Sequence, residues 1–347
     1  NTIPAAKGCP DVIATYPITI TQLPKAVFSY SATPYCQNGT NPLPTFDAGS
    51  VGETFSATLG LNVNASSGLV DLANSSAGTY TVTNTIAAAN GCPVVTSTNT
   101  ITINPVATTN AASDATICAS GTYTLAGVIS GASSTLSWTT SGSGSFNNAT
   151  NANAVYTPSA SDISSGSVVL TIKTDDPSGP CSFATDAMVL TINPTPTVSA
   201  GPTNTLTCSN KTITLSGSGG GTYAWSGPGI TSGSNTATPS VNLPGTYSLI
   251  VTSALNCPSS ISTVAISQNT TTPTPSATNS TTLTCSTTTA LVTGSPSSGV
   301  TYQWSGLGLT GSTTNSTAVV NGPGTYTLLV ANTVNGCTNT AVTTVTQ

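Results

Sequence analysis

The sequence contains no histidine and no arginine, and it has few charged residues of either sign. Its 347 residues include four lysines and nine acidic residues, for a formal net charge of −5. Without histidine there is no Ser-His-Asp or Cys-His nucleophile, no imidazole metal ligand and no histidine general base. Four lysines cannot neutralise a phosphate backbone, so nucleic acid is excluded as a partner. We therefore expect a protein that is not an enzyme, with no catalytic, cofactor-binding or metal-binding residues.

Long apolar runs and paired carboxylates are also missing. No run approaches the ~18 residues of a membrane-spanning helix, so we expect no membrane insertion in this segment. The acidic residues are scattered, without the repeated pair that a glycosidase needs. Asp175 and Asp176, in the segment TDDPSGP, offer two oxygen ligands for calcium. Such residues more often cap a turn, and we favour the turn.

The chain is built from internal repeats of about 80 residues. The segment 205–230 (TLTCSNKTITLSGSGGGTYAWSGPGI) returns as 282–309, and the segment 243–268 returns as 322–347. Two earlier units follow the same plan, and each unit closes with a strand and a polar, proline-containing joint. Residues 1–22 match the closing strand of a preceding repeat, so we expect an excerpt of a longer tandem array. The predicted domains are repeat 1 (23–105), repeat 2 (106–194), repeat 3 (195–268) and repeat 4 (269–347).

Alternating apolar and polar residues predict β-strands throughout. Branched apolar residues alternate with Thr, Ser or Asn in 98–104, 211–217, 246–252 and 340–346, which is the pattern of half-buried strands. No helical stripe competes with this pattern. About seven short strands per repeat, separated by Gly, Pro and Asn turns, predict an all-β chain of tandem antiparallel β-sandwich domains in a linear array. A β-solenoid is the alternative, but its repeat would be shorter.

Two aromatic landmarks recur in the repeats. One tryptophan lies in a short strand after the first cysteine of repeats 2, 3 and 4, and we expect it to be a core anchor that buries on the order of 200 Å² rather than a sugar-stacking platform. A GTY motif puts a tyrosine at the start of the penultimate strand, as in a tyrosine corner, where the hydroxyl satisfies a backbone group. The predicted core anchors are Trp138, Trp225, Trp304, Tyr80, Tyr247 and Tyr326.

The nine cysteines fall into two regular sets. The first set lies near the turn between the first two strands and comprises Cys36, Cys118, Cys208 and Cys285. The second set opens the last strand and comprises Cys9, Cys92, Cys181, Cys257 and Cys337. Regular sets in a chain without histidine indicate disulfides, because zinc would require C-x-x-C clustering. We therefore expect an extracellular location, outside the reducing cytosol.

The sequence leaves two pairing schemes open. Pairing within repeats (Cys36–Cys92, Cys118–Cys181, Cys208–Cys257 and Cys285–Cys337) closes loops of about 50–60 residues, worth about 4 kcal/mol each in the chain-entropy model. In a seven-strand sandwich, however, the two sets lie at opposite ends, farther apart than the ~7 Å Cα limit. Head-to-tail stacking would instead pair Cys36 with Cys181, Cys118 with Cys257 and Cys208 with Cys337. Cys9, Cys92 and Cys285 would then have partners outside this sequence.

The motifs of repeats 3 and 4, TLTC…TITL…YxWSGPG…PGTYSLIV…NC, resemble the PKD-like repeats of very large cell-surface adhesins of the gliding-motility type, which are exported by type IX secretion. Repeat 1 (FSYSATPYCQNGTNPLPTF) and repeat 2 (ATICASGTYTL…LSWTTSGSGSFNNAT) resemble the Ig-like modules of the same proteins. The resemblance covers nearly the whole chain. It implies a non-catalytic structural and adhesive stalk at the bacterial cell surface. The implied partners are other repeats of the same or neighbouring chains, a surface polysaccharide or another cell.

Two alternative functions remain open from the sequence. One is a subunit of a self-assembling extracellular filament, in which residues 1–22 donate a strand to a neighbour. Repeat 4 has its own last strand, which ranks strand donation lower and leaves side-by-side filaments open. The other is a carbohydrate-binding accessory module, which needs an exposed aromatic row. Tyr16, Tyr30 and Tyr35 are the candidates, without a repeated surface pattern.

Overall fold

The computed structural model describes residues 2–177 and 179–347 and confirms the all-β class with tandem β-sandwich domains. Among these residues the one helix, α1, is Ala160–Ser165. Contacts divide the chain into two compact units. One runs to Ile117 and includes Gly121–Ile192, and the other comprises Cys118–Ser120 and Asn193–Gln347. The four domain boundaries drawn from the repeats stay a prediction.

A short hairpin precedes repeat 1. Its strands are β1 (Thr2–Ile3) and β2 (Val12–Ile13), which pair antiparallel. Ile3 lies opposite Val12 in this hairpin, and Ile86 lies opposite Val95 in repeat 1. The hairpin of residues 2–13 therefore has the same register as its counterpart in repeat 1, and the similar turn sequences, which differ at Pro4 and Lys7, are consistent with this. Asn1 lies outside the described residues.

Repeat 1 contains one four-stranded sheet and two smaller ones. Its strands are β3 (Phe28–Ser29), β4 (Tyr35–Cys36), β5 (Thr45–Phe46), β6 (Thr54–Ala57), β7 (Asn62–Val63), β8 (Val70–Asp71), β9 (Gly78–Ile86) and β10 (Val95–Asn104). The main sheet has the order β4-β10-β9-β6, with β4 parallel to β10, and the others are β3-β5 and β7-β8. Alternate residues of β9, including Val82, point inward because side chains on a strand alternate between faces.

Repeat 2 has the same plan with an added helix. Its strands are β11 (Ala107–Asn110), β12 (Ala115–Cys118), β13 (Tyr123–Thr124), β14 (Val128–Gly131), β15 (Leu136–Thr140), β16 (Ser145–Phe146), β17 (Val155–Thr157), β18 (Ser167–Thr174) and β19 (Thr185–Asn193). The sheet orders are β12-β19-β18-β15, β13-β17-β16 and β11-β14. Helix α1 connects β17 to β18, so the expectation of strands alone is wrong at this connection.

Repeats 3 and 4 are the two with nearly matching sequences. The strands of repeat 3 are β20 (Asn204–Thr207), β21 (Ile213–Thr214), β22 (Thr222–Ser226), β23 (Ile230–Ser232), β24 (Ser240–Val241), β25 (Gly245–Thr252) and β26 (Ser262–Asn269). Those of repeat 4 are β27 (Ser276–Asn279), β28 (Ala290–Ser295), β29 (Val300–Ser305), β30 (Thr317–Val320), β31 (Gly324–Asn332) and β32 (Thr338–Val345). The sheet orders are β20-β26-β25-β22 and β21-β24-β23 in repeat 3, and β27-β28-β30 and β29-β31-β32 in repeat 4. Each repeat has its own apolar core between its two sheets.

Candidate functional site

Three disulfides join cysteines of the first set to cysteines of the second set one repeat further on. Their Cα–Cα distances of 5.0 to 5.4 Å are ordinary for disulfides. The bonds are Cys36–Cys181, Cys118–Cys257 and Cys208–Cys337. The structure therefore contains the pairing between successive repeats, and none of the four pairs within a repeat is among its bonds. Cys9, Cys92 and Cys285 are unbonded.

The Cys208–Cys337 bond lies in a small hydrogen-bonded cluster. The Ser209 N–H donates to the carbonyl oxygen of Asn335 at 3.3 Å, which runs beside the disulfide. Asn335 is only 1% exposed, and its side-chain Oδ1 accepts the Cys337 N–H at 2.9 Å. Gly336 has a φ of +65°, and a Cβ there would lie 2.7 Å from Cβ of Ser209. The asparagine and the glycine of the NGC sequence are thus both needed for the close approach of the two turns.

The other two bonds also have a backbone hydrogen bond beside them. Gln37 N–H donates to the Asn104 carbonyl at 3.0 Å next to Cys36, and Ala119 N–H donates to the Asn193 carbonyl at 2.8 Å next to Cys118. The second-set cysteines become fully covered in these bonds. Cys181, Cys257 and Cys337 are at most 4% exposed, whereas among the unbonded cysteines Cys92 is half-buried and Cys9 and Cys285 are exposed.

The three tryptophans lie inside their repeats. Trp138, Trp225 and Trp304 are at most 6% exposed, so their rings are not available as a sugar platform. The indole N–H of Trp225 donates to the Thr236 carbonyl at 3.0 Å, and that of Trp304 donates to the Asn315 carbonyl at 3.2 Å. Trp138 Nε1 has no hydrogen-bond partner among the described residues.

The hydroxyl groups of the GTY tyrosines bind backbone carbonyl groups of the loop that precedes the penultimate strand, which we call the corner of the sandwich. The Tyr80 hydroxyl donates to the Ser76 carbonyl at 2.9 Å, four residues earlier. The Tyr247 hydroxyl lies 2.6 Å from the Leu243 carbonyl oxygen and also contacts that of Pro228. Burial raises the pKa of Tyr247. The Tyr326 hydroxyl has the same surroundings, at 2.7 Å from the Gly322 oxygen and 2.6 Å from the Leu307 oxygen.

Repeat 2 has a buried carboxylate at this corner, which the sequence reasoning missed. Asp162 is 2% exposed and lies in the first turn of α1. Its carboxylate accepts the N–H groups of Ser143 and Ser159 and the hydroxyl of Tyr156, each at 2.9 Å. Burial raises the pKa of Asp162, but these hydrogen bonds outweigh it and lower the pKa to about 2. The available signal was the S-x-x-D capping box of Ser159 and Asp162.

Asp175 holds a neighbouring loop. Its carboxylate accepts the Ser133 hydroxyl at 2.7 Å and the N–H groups of Ser134 and Thr135 at 3.0 Å. The hydrogen bonds from Thr135 N–H and the Ser133 hydroxyl hold the pKa of Asp175 well below its usual range. The carboxylate therefore caps the loop at 133–135, and a cap of the TDDPSGP turn itself stays a prediction. Ser178 of the same TDDPSGP segment lies outside the described residues, and elsewhere no group of three His, Cys, Asp or Glu forms a candidate metal site.

The three tyrosines offered for carbohydrate binding do not form an exposed row. Tyr16 is 93% exposed, whereas Tyr30 is buried and donates to the Gly68 carbonyl at 2.7 Å. Burial, with a smaller contribution from Tyr35, raises the pKa of Tyr30 to about 12. The Tyr35 hydroxyl is occupied by the N–H of Ala32 at 2.9 Å. One exposed ring is not a stacking platform for a polysaccharide.

Comparisons with known proteins find similar folds only. No protein-family model matches the chain, and no curated protein matches it. A Ca²⁺-stabilised adhesin, described as helping an Antarctic bacterium reach out and bind ice, is 15% identical, with 94% of this chain and all of that chain covered and a TM-score of 0.29. Cadherin domains 3–6 of protocadherin gamma B2 are 11% identical, with 92% and 99% covered and a TM-score of 0.27. Drosophila N-cadherin domains 1–4 are 13% identical, with 85% and 92% covered and a TM-score of 0.25.

These similarities carry no argument about function, because the identities and TM-scores are low. The disulfides themselves point to an extracellular location, since such bonds persist in oxidising compartments. Within the part of the chain that the structure describes, no helix has the length and apolar character to cross a membrane.

Proposed function

We propose that the chain is a non-catalytic structural and adhesive stalk segment of a long, repetitive bacterial surface protein, exported by type IX secretion. In this proposal the four repeats are four sandwich domains bounded as the sequence predicts. The observation that carries it is the overlap of the three disulfides along the chain. The first cysteine of each bond comes before the second cysteine of the preceding bond in the sequence, so the bonds form a continuous covalent route through the repeats.

The overlap matters when the chain is pulled from its two ends. Force enters at the first residues, passes from Cys36 to Cys181 through one bond, and passes from Cys208 to Cys337 through another. The backbone that remains in the force path is 1–36, 181–208 and 337–347. Most of each sandwich lies outside this path, so it cannot be drawn out while the bonds are intact. A stalk that holds a distant binding element needs this constancy of length.

The surface chemistry supports the same function. Outward positions of the long strands carry uncharged polar residues, for example Thr79, Thr81 and Thr83 along β9. Interactions of such a surface depend little on salt, because screening acts on charges. Only four lysines offer cleavage sites to trypsin-like proteases. A durable exposed spacer benefits from both properties.

Single-molecule pulling tests the proposal. The oxidised chain, held at its two termini, is expected to lengthen only by the three segments in the force path, at up to about 3.6 Å per residue. After reduction the whole chain is expected to extend. The variant Cys36→Ser is the matched control, because without reductant it should release the segment from residue 36 to Cys118, where the Cys118–Cys257 bond takes up the force. Equal lengthening of oxidised and reduced chains would contradict the proposed role.

A further inference from the structure

The chain contains four Asn-Gly pairs, a sequence in which asparagine is prone to lose its side-chain amide. The loss begins when the backbone nitrogen of the following residue attacks the asparagine Cγ, and glycine has no Cβ to obstruct this approach. The attacking N–H must be free of other hydrogen bonds, and water must reach the site. The four pairs begin at Asn38, Asn90, Asn321 and Asn335.

Two of these pairs are held against the reaction by hydrogen bonds. Gly39 N–H donates to the Cys36 carbonyl at 2.8 Å, and Gly336 N–H donates to the Asn332 carbonyl at 2.9 Å. Asn335 is also buried, and its amide nitrogen donates two further hydrogen bonds at 2.9 Å. In both pairs the attacking nitrogen is already engaged, so we expect their amides to persist.

The pair in repeat 4, Asn321-Gly322, is open. Asn321 is exposed, and among the described residues neither its amide group nor the Gly322 N–H has a hydrogen-bond partner. Both groups lie beside Gly308, where a Cβ would be 2.8 Å from Oδ1 of Asn321 and 3.1 Å from the Gly322 nitrogen. The attacking nitrogen and the amide that it attacks therefore lie on the same side of this turn.

Conversion at Asn321 would act directly on the corner of repeat 4. The carbonyl of Gly322, the residue that supplies the attacking nitrogen, accepts the Tyr326 hydroxyl at 2.7 Å. An isoaspartyl link carries the main chain through the former side chain, which lengthens the chain by one carbon just before Gly322 and adds a negative charge. The carbonyl would then lose its position opposite the Tyr326 hydroxyl.

Repeat 3 has the same turn without the glycine. Asn242 is exposed, and its N–H donates to the Gly229 carbonyl at 3.0 Å, as Asn321 N–H donates to its own counterpart at 2.8 Å. The next residue is Leu243, whose carbonyl lies 2.6 Å from the Tyr247 hydroxyl. The leucine side chain obstructs the attack that glycine permits. The two corners therefore share their hydrogen bonds and differ in their susceptibility.

We propose that Asn321 is a site of spontaneous deamidation, and that its isoaspartyl product releases the tyrosine corner of repeat 4. This inference goes beyond the stalk function, because it assigns the chain a covalent modification. As the protein ages, repeat 4 loses its corner and repeat 3 keeps its own.

The reaction needs only water and a base. The base takes the Gly322 amide proton, the nitrogen bonds to Cγ of Asn321, and the Cγ–Nδ2 bond breaks, so that ammonia leaves with the proton. Water then opens the succinimide ring. Cleavage of the bond from nitrogen to Cγ gives aspartate, and cleavage of the bond from nitrogen to the main-chain carbonyl carbon gives isoaspartate. One water molecule is consumed and one ammonia is released, with no change of oxidation state.

The experiment incubates the oxidised full chain in a mildly alkaline buffer and maps peptic peptides by mass spectrometry, with fragmentation that separates aspartate from isoaspartate. We expect Asn321 to lose its amide and to give isoaspartate, while Asn38 and Asn335 keep their amides. Amides of β31 in the converted chain should exchange hydrogen about fivefold faster, as expected when one hydrogen bond is lost, and those of β25 should not change.

Asn90 is the reference within the same chain. It is exposed, and the Gly91 N–H donates no hydrogen bond among the described residues, so we expect its amide to be lost as well. The Tyr80 hydroxyl, however, donates to the Ser76 carbonyl, which is remote from this pair in the sequence. Conversion at Asn90 should therefore leave exchange at the corner of repeat 1 unchanged.

Two variants make the matched test. Gly322→Ala adds a Cβ that meets no atom within 4 Å, at a φ that is not positive, so Asn321 should keep its amide in an unchanged fold. Leu243→Gly creates an Asn-Gly pair in repeat 3 and should make Asn242 reactive. Both variants must keep the three disulfides, and Gly322→Ala must match the parent chain in β31 exchange before incubation.

An Asn321 amide that outlasts those of Asn38 and Asn335 would overturn the proposed site, as would equal conversion in Gly322→Ala. Conversion with unchanged exchange in β31 would overturn the effect on the corner. Neither result bears on the pulling experiment, because residues 321 and 322 lie outside the force path. The stalk function can therefore stand when this proposal fails.

Discussion

Repeats 2 and 3 stabilise the same corner of the sandwich with different hydrogen-bonding groups, an acceptor side chain in repeat 2 and a donor side chain in repeat 3. In repeat 3 the Tyr247 hydroxyl faces two backbone carbonyl oxygens. In repeat 2 the Asp162 carboxylate faces two backbone N–H groups and a hydroxyl. The tyrosine is a donor that stays neutral in acid, whereas the carboxylate must stay charged to accept all its bonds. The corner of repeat 2 is therefore the acid-sensitive one.

The largest expected effects come from the glycines that pack against the two fastening groups. A Cβ at Gly142 would lie 2.1 Å from Oδ1 of Asp162. A Cβ at Gly227 would lie 2.5 Å from Cδ1 of Tyr247, and Gly227 has a φ of +152°. We expect Gly142→Ala and Gly227→Ala each to destabilise its repeat by about 3 kcal/mol. Hydrogen exchange of the β18 or β25 amides measures this. Gly311→Ala, with no atom within 4 Å, is the control and should be neutral.

The next effect isolates the charge in repeat 2. Asp162→Asn keeps the shape but turns an acceptor into an N–H donor that faces other donors. We expect a loss of about 2 kcal/mol, since a buried polar group is left unsatisfied. The same hydrogen-exchange measurement on β18 checks it, and Asp47→Asn at an exposed site is the control. An unchanged β18 would show that the carboxylate does not fasten this corner.

A smaller effect is expected at the tyrosine corners. Tyr247→Phe and Tyr326→Phe each remove one donor from partly covered carbonyl oxygens and leave the ring in the core. We expect about 1 kcal/mol for each, read from denaturant-dependent exchange of β25 and β31. Because the two corners have the same contacts, unequal losses would contradict their equivalence.

The smallest effect is the pH dependence that distinguishes the repeats. The folded pKa of Asp162 is about 2, lower than the ordinary value of 3.8. Its contribution to stability is therefore complete above pH 4 and is lost as the pH falls toward 2. At pH 3 we expect a loss of less than about 1 kcal/mol once solvent screening is allowed for. Exchange in β18 should increase between pH 4 and pH 3 relative to β25, after correction for intrinsic rates, and parallel behaviour would contradict the comparison.

The fold class was predictable because strand alternation and the repeat are local features of the sequence. The segment 246–252 is indeed a strand, as part of β25, whereas only Ile213–Thr214 of 211–217 is one. Helix α1 was missed because six residues are too few to show a helical period. Its capping box, at Ser159 and Asp162, was the readable signal.

The disulfide pairing was not decided by the sequence. Regular spacing identified the two sets, but each set offered partners both within a repeat and in the next one. The choice depends on which Cα atoms come within about 7 Å, which is a property of the folded chain. Likewise, the sequence did not show that the Asp175 carboxylate accepts hydrogen bonds from Ser133 and Thr135, because these residues lie about 40 positions earlier in the chain.

The overlap of disulfides between successive repeats is the central claim, and a non-reducing disulfide map of the native protein tests it most directly. Mass spectrometry of the unreduced peptides should find Cys36 joined to Cys181, Cys118 to Cys257 and Cys208 to Cys337. Bonds within repeats, such as Cys36–Cys92 or Cys208–Cys257, would contradict the account, because the covalent route through the repeats would then be broken.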